Sequence, residues 1–306
     1  GRYTRRRHLR ELAFFGTGLG SVMLGYAYLF ASHTQSAACA FGAFMILFEA
    51  RERARSLLAR GLRGRAAISW DAATGAGMLA AGASLFEYPC FVLSALLSVY
   101  ALVAIRPLPR VLGFGLGAMV PTLLMMHFQW RAFGNPLSPG HLFVENPAFR
   151  AGHQEGFFGA ESFHWDGAVS LLFDGRLGMF GTSPLLMLGL VGLLAMLVAP
   201  GAATRGRRVD ALVALVACMA LYVFICFMNI WHAGWSIGPR YLVALVPFLG
   251  FFTMVALDRL ANRAGYIRNL LDVDRDVVSY RRDDRRRVGN ADVARSLLLG
   301  LDGDAS

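Results

Sequence analysis

Long apolar runs, each closed by a short polar connection, recur along this chain and limit what it can fold into more than any other feature. A helix of roughly 17 to 25 apolar residues covers a hydrocarbon core about 30 Å thick. It also satisfies its own backbone N–H and C=O groups, which lipid cannot do. The runs predict helices at about 12–30, 35–49, 70–86, 90–105, 111–129, 183–199, 210–228 and 241–257. The expected fold class is therefore all-α: a polytopic transmembrane helix bundle of about eight spans, with a long extracytoplasmic loop at about 130–182. A large soluble protein is disfavoured because 56% of the 306 residues are apolar and fall in blocks, not in an amphipathic repeat.

Charge tests that reading. The basic residues number 30, all Arg, and the net charge is +10, a balance that would suit nucleic acid. Their placement argues against such a partner, because they sit in clusters between the apolar blocks, as charges that orient membrane spans do. Arg2, Arg5, Arg6, Arg7 and Arg10 precede the first run, and Arg51 to Arg65 follow the second. Arg106 and Arg110, then Arg205, Arg207 and Arg208, mark later turns on the same side. The alternate connections hold only Arg131, Arg150, Arg176 and Arg240. Eight crossings with both termini in the cytoplasm produce this alternation. The Arg-rich start resembles a signal peptide, but the run after it is long and further spans follow.

The four Cys lie in or beside apolar runs without paired spacing and read as packing residues. Gly16, Gly18 and Gly20, and Gly113, Gly115 and Gly117, imitate a dinucleotide fingerprint, but each set lies within an apolar run, where small residues serve helix contacts. Residues 1–257 thus form the membrane domain. Residues 258–306 lose the membrane pattern, alternate Arg and Asp from Asp272, and are expected to be a disordered cytoplasmic tail.

With this topology most His and loop acids gather on the outer side. Glu87 interrupts an apolar stretch just before Pro89 and could act there as a base or hold a cation. His33 follows Ser32 at another outer helix end and could hydrogen-bond a sugar or phosphate. His153 and Glu155 belong to an HQEG segment with Glu161, His164 and Asp166 behind it. Those are metal-ligand residue types, but the spacing matches no His-Glu-x-x-His helix and no zinc pattern. No cofactor is expected, and a divalent metal stays open. In WHAGWSIGPRY, from Trp231, the residues Trp231, Trp235 and Tyr241 suit the headgroup level, and His232 sits among them. Arg240 is the sole basic residue of that connection and has the fork that grips phosphate bidentately.

The stretch from Trp231 to Phe248, with FGNPLSPG from Phe133, GHQEGFFG from Gly152, LLFDGRLGMFGTSPLL from Leu171, SH at Ser32 and EYP at Glu87, resembles type C glycosyltransferases, the broad group of the protein mannosyltransferases. The likeness covers about residues 12–257. It implies transfer of a sugar from a polyprenyl-phosphate carrier to an acceptor at the outer face of a bacterial inner membrane. On that reading Glu87 is the catalytic carboxylate and Arg240 holds the phosphate. His33, His153, Glu155, Trp231, His232, Trp235 and Tyr241 line the substrate site. The partners are the lipid-linked donor, an acceptor not specified by the sequence, and membrane lipid. The family's acid lies in a large first outer loop, which this chain lacks, so the gene is expected to extend upstream of Gly1. A lipid or solute transporter and a non-catalytic membrane scaffold are the alternatives.

The topology makes a direct prediction. A Cys introduced at Gly140 will react with an impermeant thiol reagent from outside intact cells, and one at Ala203 will react only after the membrane is opened; the opposite pattern overturns the orientation.

Overall fold

The computed structural model describes residues 6–29, 31–62, 65–157, 159–199, 202–232 and 238–263. Among them the fold is all-helical, apart from isolated bridges of Ala160 to Phe157 and Met228. The helices are α1 (Arg7–Leu19), α2 (Val22–Tyr28), α3 (Ser32–Ala59), α4 (Trp70–Phe86), α5 (Phe91–Ala104) and α6 (Val111–Phe133). A loop with α7 (Pro147–Gln154) and α8 (Trp165–Phe173) leads through α9 (Met179–Thr182) to α10 (Leu185–Val198) and α11 (Ala202–Phe227). The last is α12 (Arg240–Arg263), whose first turns, Arg240–Leu245, are 3-10.

Among the described residues three helices are long and apolar enough to cross a membrane: α6 with its leading turn (Leu108–Phe133), Gly206–Phe227 of α11, and α12. They occupy different places. Only 22% of the apolar window of α6 is buried, against 67% for α12, so α12 is central and α6 peripheral. Leu112, Leu116, Leu123 and Leu124 of α6 are exposed. Contiguous apolar surface of this kind suits lipid, because soluble monomers rarely leave large apolar patches in water.

The chain divides into two compact units, Gly1–Leu257 and Asp258–Ser306. Of the second, the described residues 258–263 are helical, with Asn262 Nδ2 donating to Asp258 Oδ2 at 3.3 Å. The predicted Arg/Asp tail from 264 onward lies outside the described residues.

The expected loop at 130–182 contains α7 and α8, and α11 begins at Ala202 instead of 210; two further departures from the expected helices have local causes. The first run, expected as one helix over 12–30, breaks at Gly20 and Ser21. Ser21 Oγ accepts from Met23 N and donates to Thr17 O, so one side chain closes α1 and caps α2. Val22 N donates to Ser183 Oγ at 3.0 Å, which anchors the break to the start of α10. The second run was expected to end at residue 49, yet α3 continues through its Arg segment to Ala59. Arg and Ala are good helix formers, so nothing in that segment stops the helix before Arg60.

Small residues set the packing. Helix α4 buries Ala73, Ala76, Ala80 and Ala83, and α3 meets it where Ser36 bonds the Ala83 carbonyl, Gly42 faces Leu79 and Cys39 lies beside Gly82. A Cβ on Gly77 would overlap the Phe114 carbonyl of α6, and one on Gly117 would overlap the Thr74 carbonyl of α4. These backbones touch, as small-residue faces allow in membranes. Behind α3, Phe44 stacks on Tyr100 (5.9 Å) and packs on Phe248 of α12 (5.2 Å).

A charge cluster closes one end of this core. Asp210 of α11, 1% exposed, receives Arg51 Nη1 at 2.9 Å and the Tyr100 hydroxyl at 2.7 Å. Arg51 also donates to Gly206 O at 2.7 Å, and Arg55 pairs with Glu52. The cluster ties α3, α5 and α11 together, and losing one partner would leave a buried charge uncompensated.

Gly117→Val should therefore force α6 off α4 and cost roughly 1 to 3 kcal/mol or more. Gly115 has open space beside it, and Gly115→Ala should be neutral or stabilising by up to about 1 kcal/mol. Thermal unfolding of the two purified variants checks the contrast; equal melting temperatures would refute the close approach.

Candidate functional site

The site lies at the other end of the core. From Arg51 back to His33 is eighteen residues of α3, about 27 Å of helix rise, close to the ~30 Å thickness of a hydrocarbon core.

The α3–α4 contact brings the first two side chains together. Ser36 Oγ donates to Ala83 O at 3.0 Å, locking the start of α3 against the end of α4. One turn back along α3 is His33, and one turn on from Ala83 is Glu87. Pro89 then closes α4, with Glu87 in extended backbone as its C-cap and Tyr88–Cys90 forming a 3-10 turn. His33 Nδ1 lies 2.8 Å from Glu87 Oε1, and Ser32 Oγ donates to the same oxygen. Both side chains of the pair are largely buried, 8% exposed for His33 and 15% for Glu87. Tyr26 and Tyr241 set their rings edge-on to the His33 imidazole, 5.1 and 6.5 Å away.

A turn delivers Arg240 from the opposite direction. Gly238 has φ +69°, a conformation that favours glycine, and its N–H donates to Arg176 O at 2.9 Å. The Arg176 loop is itself braced by Asp174, whose Oδ1 accepts from Leu177 N (2.8 Å) and Arg176 N (2.6 Å). These two backbone hydrogen bonds hold the Asp174 carboxyl below its ordinary value. The conspicuous Asp174 of the FDGRLG stretch is thus a brace for the Arg240 turn. The Arg240 guanidinium stands 5.3 Å from the Tyr241 ring centroid. Its Nε is buried with no hydrogen-bond partner among the described residues.

The long loop completes the wall. Glu161 N and His164 N donate to Phe227 O and Cys226 O at the end of α11, and Gly140 N reaches the Tyr88 hydroxyl at 3.4 Å. His141 and His153 thereby face each other at 5.1 Å between ring centroids. Burial, then the neighbouring His153, pushes His141 down to about 4. Burial, then Arg240, pushes His153 down as well. Both rings are neutral at pH 7. His153 Nδ1, like Arg240 Nε, is buried without a hydrogen-bond partner among the described residues.

Together these groups line a cavity of about 340 Å³: Glu87, Tyr88, His141, His153, Arg240 and Tyr241 supply its polar lining, and Phe86, Phe91, Phe224 and Met228 most of its apolar lining. His33 lies in a narrow cleft behind it that also touches Glu87, Arg240 and Tyr241. Of the residues singled out in the sequence, the fold brings Glu87, His33, His153, Arg240 and Tyr241 to this point. It directs the others elsewhere. Glu155 is exposed and accepts from Asn229 Nδ2 at 3.0 Å, Trp231 packs over Gly167 of α8, and His232 is exposed beside Trp231. Trp235 lies outside the described residues. Among the described residues no group of three or more His, Cys, Asp or Glu could hold a metal ion.

Sequence reasoning passed over His141 and Tyr88, which gain meaning only once the loop folds back. It also passed over Asp210, although a lone acid opening an apolar run was a usable signal.

No family model, curated protein or solved structure matches the chain.

The depressed His141 pKa makes folding stability depend on pH on the acid side. Above pH 6.5 the ring is neutral folded and unfolded and contributes no pH dependence. Between 6.5 and about 4 the unfolded chain takes up a proton that the folded site refuses, so stability falls with pH. The melting temperature of the wild type should therefore drop faster over that window than that of His141→Gln. Parallel curves would show that His141 is not buried against His153.

Proposed function

We propose that this protein is a type C glycosyltransferase-like enzyme that takes a sugar from a polyprenyl-phosphate carrier and passes it to an acceptor at the outer face of a bacterial inner membrane. The observation that carries this reading is the buried Nε of Arg240, without a hydrogen-bond partner among the described residues, in a cavity lined by Glu87 and two His together with Phe86, Phe91 and Phe224. An unsatisfied buried donor costs roughly 1 to 3 kcal/mol, and an anionic ligand would remove that cost. Neutral His153 beside it adds hydrogen-bonding capacity without a second fixed charge. Phe86, Phe91 and Phe224 offer an apolar wall where an isoprenoid chain could begin.

The chemistry follows from the positions of Glu87 and Arg240. Ser32 and His33 both bind Glu87 Oε1, which orients the carboxylate and leaves Oε2 to take the proton of an acceptor hydroxyl. The acceptor oxygen forms a bond to the anomeric carbon with inversion as the carbon–oxygen bond to the carrier phosphate breaks. Arg240 then balances the charge that gathers on the departing phosphate. In this reading α3 crosses the bilayer, with His33 at the outer boundary and Arg51 and Arg55 at the inner one. The eight crossings, the outer position of the loop around 130–182 and the cytoplasmic termini read from the Arg pattern belong to the same proposal.

The decisive experiment pairs two variants in purified protein, with a short-chain polyprenyl-phosphate sugar as ligand. Arg240→Lys should weaken binding about tenfold, ~1.4 kcal/mol, because an ammonium lacks the bidentate fork. Glu87→Gln should keep binding and lose turnover by roughly 10² or more. Unchanged affinity in Arg240→Lys would remove the phosphate assignment. Wild-type binding without any sugar transfer to polyprenol, protein or glycan acceptors would move the reading from enzyme to carrier-lipid transporter.

A further inference from the structure

A second hollow lies at the Arg-rich end, about 750 Å³ in volume, between the C-terminal half of α3 and the starts of α4 and α6. Arg53 and Arg110 enter its wall from separate elements, together with Ser56, Ser69, Trp70 and Asp71. The hollow is built by the backbone. Ala67 N donates to Arg106 O at 3.1 Å, joining the connection after α3 to the turn before α6.

The charges of this wall are incompletely matched. Arg53 reaches Glu49 only at 3.5 Å, with both side chains exposed, and Asp71 belongs to the first turn of α4, where the helix dipole already favours an acid. Ser69 Oγ is engaged with Ala72 N as the α4 cap. Trp70 is 47% exposed at the rim, the depth at which indole rings sit in a bilayer. Leu112 and Leu116 are exposed along α6 just beyond it. A basic hollow with a Trp rim, continuing into exposed Leu, has the chemistry of a phospholipid from headgroup to acyl chain.

We propose that this hollow binds the phosphodiester headgroup of an anionic phospholipid in the inner leaflet, with Arg53 and Arg110 as its two cationic contacts. The proposal rests on the bundle crossing a bilayer and not on sugar transfer. Arg53 is twenty residues of α3 from His33, about 30 Å away, so the hollow is separate from the Arg240 cavity. A lipid is favoured over soluble phosphate because the hollow is open and its cations are exposed. Such a site gains from the high local concentration and anionic surface potential of a membrane.

The test uses the full chain in neutral detergent, titrated with phosphatidylglycerol, phosphatidylcholine or glycerol phosphate and read by native mass spectrometry. Phosphatidylglycerol should be retained in preference to phosphatidylcholine, and glycerol phosphate should not bind. The double variant Arg53→Gln, Arg110→Gln should lose roughly thirtyfold in phosphatidylglycerol affinity, two contributions of the size basic residues make at anionic surfaces. The double Lys variant should recover most of that loss, which separates lost charge from lost folding. Equal retention of the two lipids, or full phosphatidylglycerol affinity in the Gln variant, would overturn the site, and tight glycerol phosphate binding would overturn the lipid as its occupant. Binding of a polyprenyl-phosphate sugar at Arg240 should be the same in all these variants, so failure here and failure of the transferase reading are told apart.

Discussion

Helix α4 meets its neighbours with almost no side chain in between, and the rest of the site follows from that contact. Gly82 and Ala83 admit Cys39 and Ser36 of α3, and Gly77 admits the backbone of α6. Without a hydrophobic effect between helices in lipid, such close packing and the hydrogen bonds it permits are what hold them. The Ser36–Ala83 bond is one of those, and it fixes the register of α3 on α4. A shift of one residue along either helix would turn His33 away from Glu87, since neighbouring helical positions point about 100° apart.

The bundle therefore carries polar chemistry at both ends of one helix. At one, Asp210 Oδ1 is matched by Arg51 and Tyr100 in a cluster that joins three helices, while Arg55 stands 4.0 Å from Oδ2. At the other, Glu87 is matched by His33 and Ser32, while Arg240 and His153 keep buried nitrogens without partners among the described residues. Buried polar groups in folded proteins are nearly all hydrogen-bonded, and Arg240 Nε and His153 Nδ1 differ from the unpaired Asp210 Oδ2 in belonging to residues that line one open cavity.

Much of this was legible in the sequence, for physical reasons that differ from residue to residue. Glu87 stood out because a carboxylate inside an apolar run needs a reason to be there, and Arg240 because it was the lone Arg of its connection. His153 was visible as one of several polar loop residues, but nothing local distinguished it from Glu155, which the fold leaves in solvent. His141 was no more conspicuous than either. Which loop residues enter the cavity depends on where 140–164 folds against Tyr88 and the end of α11, and those contacts are separated by tens of residues.

By itself the sequence determined the helical class, most of the helix positions and the alternation of Arg along the chain, because hydrophobic length and charge act locally and leave a one-dimensional record. Only the tertiary structure decided that α6 is peripheral and α12 central, that Asp174 braces a turn, and that Glu87 shares its oxygen with His33. Each of those depends on which small faces meet, and the approach of two helix backbones is a pairwise property that no single stretch of residues records.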